Sequence, residues 1–420
     1  MPNPETRKID LRQAGFHTAV FLIAFLIVFS RRPDVLLNPQ FYAEDGRFFY
    51  SDAYQYGWHC LLMPYGGYLH TPLRFVGLLA QLVPLGRAPL VMNLCAIVAQ
   101  ILPIHLFLSS RFNSISFATR VFGSLLYLAL PNAFEIHANT ANIQWHLALT
   151  GCLILLARPD DRLGWRIFDF LVLVMLAFGS LMGILLIPIA AILRWTRKDP
   201  RYNLSLIALI PGALVQGSIL LLTESRRAAP NGATLARLAD IIGGQVFFSS
   251  VLGVRTSMQL YFYSHFTSLF WLDLLALVIG LPFVVYALRR APLELKLAYL
   301  FAALVLASAL HRPLASFPGS YTQWQLLEIP GCGNRYYFFP MLAFFSTLVW
   351  MLTGVKDKLP RCSSAAVLVL LSIGICRDYQ YKPFQDLHFQ EYATEFTRAA
   401  PGTEMTIPLN PDWYMKLTKR

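Results

Sequence analysis

Charge is what this chain has least of. Only 14% of its 420 residues are Asp, Glu, Lys or Arg, where a soluble domain carries roughly a quarter. With 56% hydrophobic residues, that scarcity excludes an ordinary water-soluble domain. The six cysteines (60, 95, 152, 332, 362 and 376) form no C-x-x-C and no metal-ligand spacing. Cys95 and Cys152 fall inside apolar segments and read as packing residues. Cys60 and Cys332 fall in loops, where a disulfide between them stays open. No Walker loop, dinucleotide fingerprint or G-x-S-x-G is present. The net charge is +12, yet no basic run is interleaved with aromatics, so nucleic acid is not an expected partner. The basic residues sit beside apolar segments, where they set topology.

What is there is a series of apolar stretches near the length of about 20 residues that a span requires. The fold expected is an all-α polytopic membrane protein with about eleven transmembrane helices. Arg7, Lys8 and Arg12 precede Ala14–Ser30 without a small-residue cleavage site, so this stretch reads as a retained first span with a cytoplasmic start. Further spans are expected at 90–109, 116–130, 145–157, 204–222, 266–288, 297–310, 336–352 and 364–376. The block 167–195 is too long for one span, and GSLMG at 179–183 splits it in two. The transmembrane domain then covers 1–377, with outer loops at about 31–88, 223–265 and 311–335. Residues 378–420 follow as an extracytoplasmic tail. Leu69–Leu85, interrupted by Pro72, Arg74 and Pro84, reads as an interfacial helix in the first outer loop. The short inner loops are basic and the outer turns 131–144 and 179–183 lack Lys and Arg, which orients the chain by the positive-inside rule. Asn93 and His105 are polar residues within spans and have no partner visible in the sequence.

The first outer loop opens with FYAEDGRFFYSDA (41–53). A carboxylate anchored near a helix end can act as a general base toward a hydroxyl, and Glu44 and Asp45 are the candidates. Asp45 also suits an N-cap. Arg335, at the outer edge of a span beside Tyr336 and Tyr337, suits a phosphate, or snorkels beside an aromatic belt. Arg312 and Arg74 are the next such cations, or outer-edge arginines that pair with lipid headgroups. Asn139, Asn142, Gln144 and Trp145 crowd one short turn, where amides could bond sugar hydroxyls and an indole could face a sugar ring. The same asparagines could simply make the turn, and the same tryptophan could anchor the interface. Tyr65 and His70 flank a Gly66–Gly67 turn where a substrate could approach the backbone, or where the glycines only turn the chain before the interfacial helix. His137, His146 and Glu135 have no recognised metal spacing.

In this arrangement the chain resembles the GT-C superfamily of integral-membrane glycosyltransferases. The similar stretches are MPYGGYLHTPLRF (63–75), HANTANIQWHLAL (137–149), GSLMGILLIPIA (179–190), GNRYYFFP (333–340) and IPLNPDW (407–413), beside the acidic pair. Glu precedes Asp here, the reverse of well-known relatives; the base is assigned to Asp45, with Glu44 second. The resemblance implies a GT-C-like fold in a bacterial inner membrane, with the C-terminus periplasmic. It implies a polyprenyl-phosphate-linked sugar as donor and a glycan or glycolipid hydroxyl as acceptor, alongside membrane lipids. No cofactor is called for, with a divalent metal left open. Two rival functions share much of this pattern: a lipid or glycan flippase, and an O-antigen polymerase or ligase. A flippase would place polarity near the bilayer midplane, whereas here it gathers at the outer edge.

Overall fold

The computed structural model describes residues 11–223, 230–263, 269–313 and 321–420. Arg7, Lys8, the first residues of the span expected from 266, and parts of the loops at 223–265 and 311–335 lie outside the described residues. Among the described residues, eight helices are long and apolar enough to cross a membrane. The chain is a multi-pass, predominantly helical membrane protein.

Seven of the eight coincide with expected spans. The eighth, Leu235–Leu252, lies inside the 223–265 stretch expected as an outer loop. The four other expected spans exist as the helices Phe117–Leu128, Ile143–Leu156, Leu163–Gly179 and Met182–Arg197. At 1.5 Å per residue they are about 18 to 26 Å long, short of the hydrocarbon thickness of about 30 Å. The eleven expected spans thus correspond to seven long apolar helices and four shorter ones. The break between Leu163–Gly179 and Met182–Arg197 falls where GSLMG required it. The first loop packs closely there: a Cβ on Gly179 would lie 2.2 Å from Pro72.

Side-chain bonds show which helix ends meet. Arg31, at the end of Leu11–Arg31, is almost wholly buried. It donates to the carbonyls of Leu128 (2.6 Å), Leu130 (3.1 Å), Asp378 (3.3 Å) and Tyr379 (3.0 Å). These carbonyls close Phe117–Leu128 and Lys358–Asp378, and the last carbonyls of a helix have no partner within it. Beside Arg31, the Asp378 carboxylate accepts the N–H groups of Asn132, Val254 and Arg255 at 2.7–3.2 Å. Asn334, at the start of Asn334–Gly354, donates to the Asn132 carbonyl at 3.2 Å. The first loop, the 131–142 turn, the start of Asn334–Gly354 and the C-terminal segment thus share one end of the bundle. Both flanks of Leu235–Leu252 return to it as well: Gln323 and Trp324 donate to the Pro230 and Asn231 carbonyls at 3.0 Å each, and Val254 meets Asp378. The opposite end gathers other segments, through the Arg111–Asp169, Arg197–Glu294 and Arg201–Asp161 ion pairs. The polar residues within spans have partners: Asn93 donates to the Val35 carbonyl at 2.8 Å, and His105 meets His17 at 3.2 Å.

The 378–420 segment is a folded piece rather than a bare tail, and it adds the only described sheet to an otherwise helical fold. After the helix Phe389–Arg398, β1 (Glu404–Leu409) pairs antiparallel with β2 (Trp413–Thr418). The strands alternate, so Ile407, Leu409, Met415 and Leu417 all face inward. They pack with Phe389 and Phe396 against Phe41, Phe49 and Tyr50 of the first loop. That loop also forms the helix Thr71–Ala80, within the Leu69–Leu85 stretch expected as interfacial. Cys60 and Cys332 are both unpaired, so the open disulfide is not formed.

Arg31→Met keeps the apolar volume but leaves four carbonyls without their donor. A hydrogen bond to a charged group contributes about 1.5–3 kcal/mol, so unfolding stability in detergent should fall by at least about 3 kcal/mol. Unchanged thermal unfolding would show that the helix ends are held by other contacts.

Candidate active site

The acidic pair sits in a backbone that the C-terminal segment holds from one side. Ala43 adopts φ 41°, the left-handed region that costs a residue with a side chain about 1–3 kcal/mol. Its N–H donates to the Asn410 carbonyl at 2.6 Å, which holds the turn in place. Asp45 then opens a wide π-type turn through Tyr50, a form frequent at functional sites. Leu409 of β1 packs so closely on Gly46 that a Cβ there would lie 2.9 Å from it.

Asp45 is 1% exposed. Its Oδ2 accepts the Thr140 N–H at 3.2 Å, and Oδ1 is buried with no hydrogen-bond partner among the described residues. Burial, and then the neighbouring Glu44 carboxylate, push the Asp45 proton affinity well above the usual carboxylate range; the Thr140 and Ala141 amides act the other way. Asp45 is therefore not a solvated helix cap. It is a carboxyl group with one oxygen tethered and one free, shifted toward the pH at which a general base works best.

Arg335 stands on the first turn of Asn334–Gly354. Its guanidinium bonds the Glu135 carboxylate, its backbone N–H donates to Glu135 Oε2 at 3.2 Å, and its Nη2 donates to the Tyr336 hydroxyl at 3.0 Å. The guanidinium also lies 4.6 Å from the Tyr336 ring centre. Glu44, Asp45 and Arg335 all act electrostatically on the Tyr42 hydroxyl, and Glu44 and Arg335 both act on Tyr68. The candidate base, its acidic neighbour and the candidate phosphate ligand thus share one neighbourhood.

The amides next to them hold the turn. Asn139 and Asn142 each donate to the Glu135 carbonyl, at 2.7 and 2.9 Å, and the Asn139 Oδ1 accepts from Asn142. These contacts fix the backbone that offers Thr140 to Asp45 and Glu135 to Arg335. Trp145 is buried, with its ring 6.4 Å from Tyr336 and 6.0 Å from Phe339. It joins the turn to the Arg335 helix. Gln144 bonds the Tyr68 hydroxyl, whose proton affinity burial pushes up to about 12. Tyr65 donates to Glu44 Oε1 at 3.5 Å, and its carbonyl meets His70 Nε2 at 3.1 Å. Burial pushes His70 down to about 3, so the ring is neutral, with its Nε2 proton on that carbonyl. Gly66 and Gly67, at φ 62° and 94°, make the left-handed turn that brings Tyr65 and Tyr68 together.

The other two arginines are placed differently. Arg74 is buried and its Nη1 meets Asp52 at 2.7 Å, so its charge is neutralised within the first loop. Arg312 is exposed just past Leu293–His311, with no described bond to the Asp45 group. His137 and His146 spend their ring nitrogens on Gln100, the Val28 carbonyl, Tyr127 and the Ile136 carbonyl. Among the described residues, no three His, Cys, Asp or Glu side chains converge as a metal site.

The geometry gives roles to two further residues. Glu135 is the one carboxylate in a turn without Lys or Arg, an imbalance in the sequence that asks for a cation from elsewhere. Gln216, a buried amide inside an apolar helix, clamps Leu69 through both its backbone groups, at 2.8 and 3.1 Å. Polarity in such a helix is costly enough to flag a contact of this kind. No family model matches the chain, and no curated protein is significantly similar to it.

Asp45→Asn should keep the Thr140 tether and remove the ionisation. A raised carboxyl pKa leaves stability complete below the unfolded value and removes it as pH rises through the folded value. The variant should therefore show a higher Tm than wild type at alkaline pH and a flatter profile of Tm against pH. A Tm lowered at every pH would mean that the carboxylate is there to hold the fold.

Proposed function

We propose that the chain is a GT-C-type glycosyltransferase of a bacterial inner membrane, with its N-terminus cytoplasmic and its C-terminal segment periplasmic. It would transfer a sugar from a polyprenyl-phosphate carrier to a glycan or glycolipid hydroxyl on the extracytoplasmic face. One observation carries this reading. The single short turn 135–142 holds a buried carboxylate through the Thr140 N–H and a guanidinium through the Glu135 carboxylate.

The chemistry follows from those two groups. Asp45 Oδ1 has no other partner among the described residues and takes the proton of the acceptor hydroxyl. The oxygen attacks the anomeric carbon as the carbon–oxygen bond to the phosphate breaks. Polyprenyl phosphate leaves carrying the bonding pair, and Arg335 stabilises the charge that develops there. A single displacement inverts the anomeric configuration. Glu44 raises the basicity of Asp45 by like-charge repulsion, while Glu135 positions Arg335 and is displaced from it in part when phosphate binds.

Transfer from labelled polyprenyl-phosphate sugars, followed in membranes, tests this. Asp45→Asn should cost about 10²–10⁴ in rate, the usual contribution of a general base, and Arg335→Gln about 10²-fold or more. Wild-type turnover in both variants would remove the mechanism and favour lipid transport. The pH profile separates the two carboxylates. Because Asp45 must be ionised, activity should fall on acidification at a pH well above the ordinary Asp value of about 3.9. Glu44→Gln should shift that limb toward lower pH with activity retained. Loss of activity in Glu44→Gln, with Asp45→Asn active, would reassign the base.

A further inference from the structure

At the end of the bundle away from Asp45, a cavity of about 280 Å³ opens between the starts of Leu163–Gly179 and Tyr202–Leu222. The C-terminal end of Ile143–Leu156 and the turn bearing Arg111 close it. Its lining is mixed: Ile154, Phe170, Leu173 and Leu204 supply apolar surface, and Arg111, Arg166, Arg201, Tyr202 and Ser205 supply polar groups beside two carboxylates.

The carboxylates are already committed. Asp169 takes both Arg111 Nη atoms, at 2.6 and 2.9 Å. Asp160 is held by Arg162 at 2.6–3.1 Å. Arg201 is met from outside the cavity by Asp199 and Asp161. Arg166 is different: it lines the cavity and has no ion-pair partner among the described residues. Ser205 has no side-chain hydrogen bond among them either. The Tyr202 hydroxyl accepts from Arg197 Nη1 at 2.6 Å, which leaves its own proton to donate. The uncommitted groups facing the cavity are thus one cation and two hydroxyls, and both flanking helices point their positive N-terminal dipole ends toward it.

The surroundings select the form of the anion. Leu163, Ile167 and Leu171 are exposed at four-residue intervals on one helix, and Ile207, Ile210 and Leu214 are exposed on the other. Such faces meet acyl chains in a membrane-spanning chain. A free anion would use only the polar groups of the lining; a molecule with a phosphate and hydrocarbon uses these and the exposed apolar faces.

We propose that this cavity binds the phosphate of an anionic phospholipid. Arg166, Ser205 and Tyr202 donate to the phosphate oxygens, and the acyl chains lie along Ile167 and Leu171 and along Ile207. The site is separate from the Asp45 group and does not rest on the reading given to it.

Full-length protein in a neutral detergent tests this by native mass spectrometry and thermal unfolding, with phosphatidylglycerol, phosphatidylcholine or inorganic phosphate added. Phosphatidylglycerol should be retained over phosphatidylcholine by at least about five-fold, the effect of one basic side chain on an anionic lipid, and should raise the Tm. Arg166→Gln, an exposed change that the fold tolerates, should reduce retention to the phosphatidylcholine level, and Ser205→Ala should weaken it. Equal retention of the two lipids, or unchanged selectivity in Arg166→Gln, would overturn the proposal. So would stabilisation by inorganic phosphate alone to the same extent.

Discussion

A buried cation and a buried anion, side by side, decide how this molecule is put together. Arg31 gathers carbonyls from the ends of two other helices, and Asp378 gathers backbone N–H groups from the 131–142 turn and the start of Val254–Tyr263. In a membrane interior an unsatisfied backbone group costs several kcal/mol, so a helix there cannot simply stop. The guanidinium and the carboxylate let several elements stop at one place, and that place becomes the end of the bundle on which the rest is built.

The site grows from this knot in two directions. On one side, the turn that follows Leu130 runs directly into Glu135, Asn139 and Thr140, which reach Arg335 and Asp45. On the other, the chain leaving Asp378 passes Tyr381 and Phe384, stacked against Arg31 and Arg32 at 4.4 and 4.6 Å. It goes on to the hairpin whose Leu409 and Asn410 press on Gly46 and Ala43. Asp45 is therefore clamped between two segments far apart in sequence that share one anchor. Such support from separate rigid elements holds a reacting group more tightly than a free loop does.

The two ends of the bundle treat charge in opposite ways. At the far end, carboxylates and arginines neutralise one another, with Arg111–Asp169 the most buried pair. At the Asp45 end, a carboxylate is buried without a cation of its own and next to another acid. The first arrangement leaves Arg166 in the cavity without an ion-pair partner among the described residues. The second leaves a group whose protonation responds to what binds beside it.

Much of this was legible from residue order alone. Apolar run length located most of the helices, and GSLMG marked the break between two of them, because one helix cannot extend across both thicknesses of a 167–195 block. The scarcity of charge made AEDG and GNRYYFFP conspicuous, so Asp45, Glu44 and Arg335 could be named before any fold was known. The turn-making reading of Asn139 and Asn142 was open to sequence as well, but sequence could not say that Arg74 is neutralised by Asp52 or that the last segment folds into a hairpin on the first loop. It also left Glu135 without its arginine and did not mark Leu235–Leu252 as a helix. Composition and periodicity are properties of neighbours along the chain, and they determine which segments are helical and which residues are costly to bury. Which costly residue meets which is settled by contacts across hundreds of positions, and only the tertiary structure, by closing the bundle around Arg31 and Asp378, decided those.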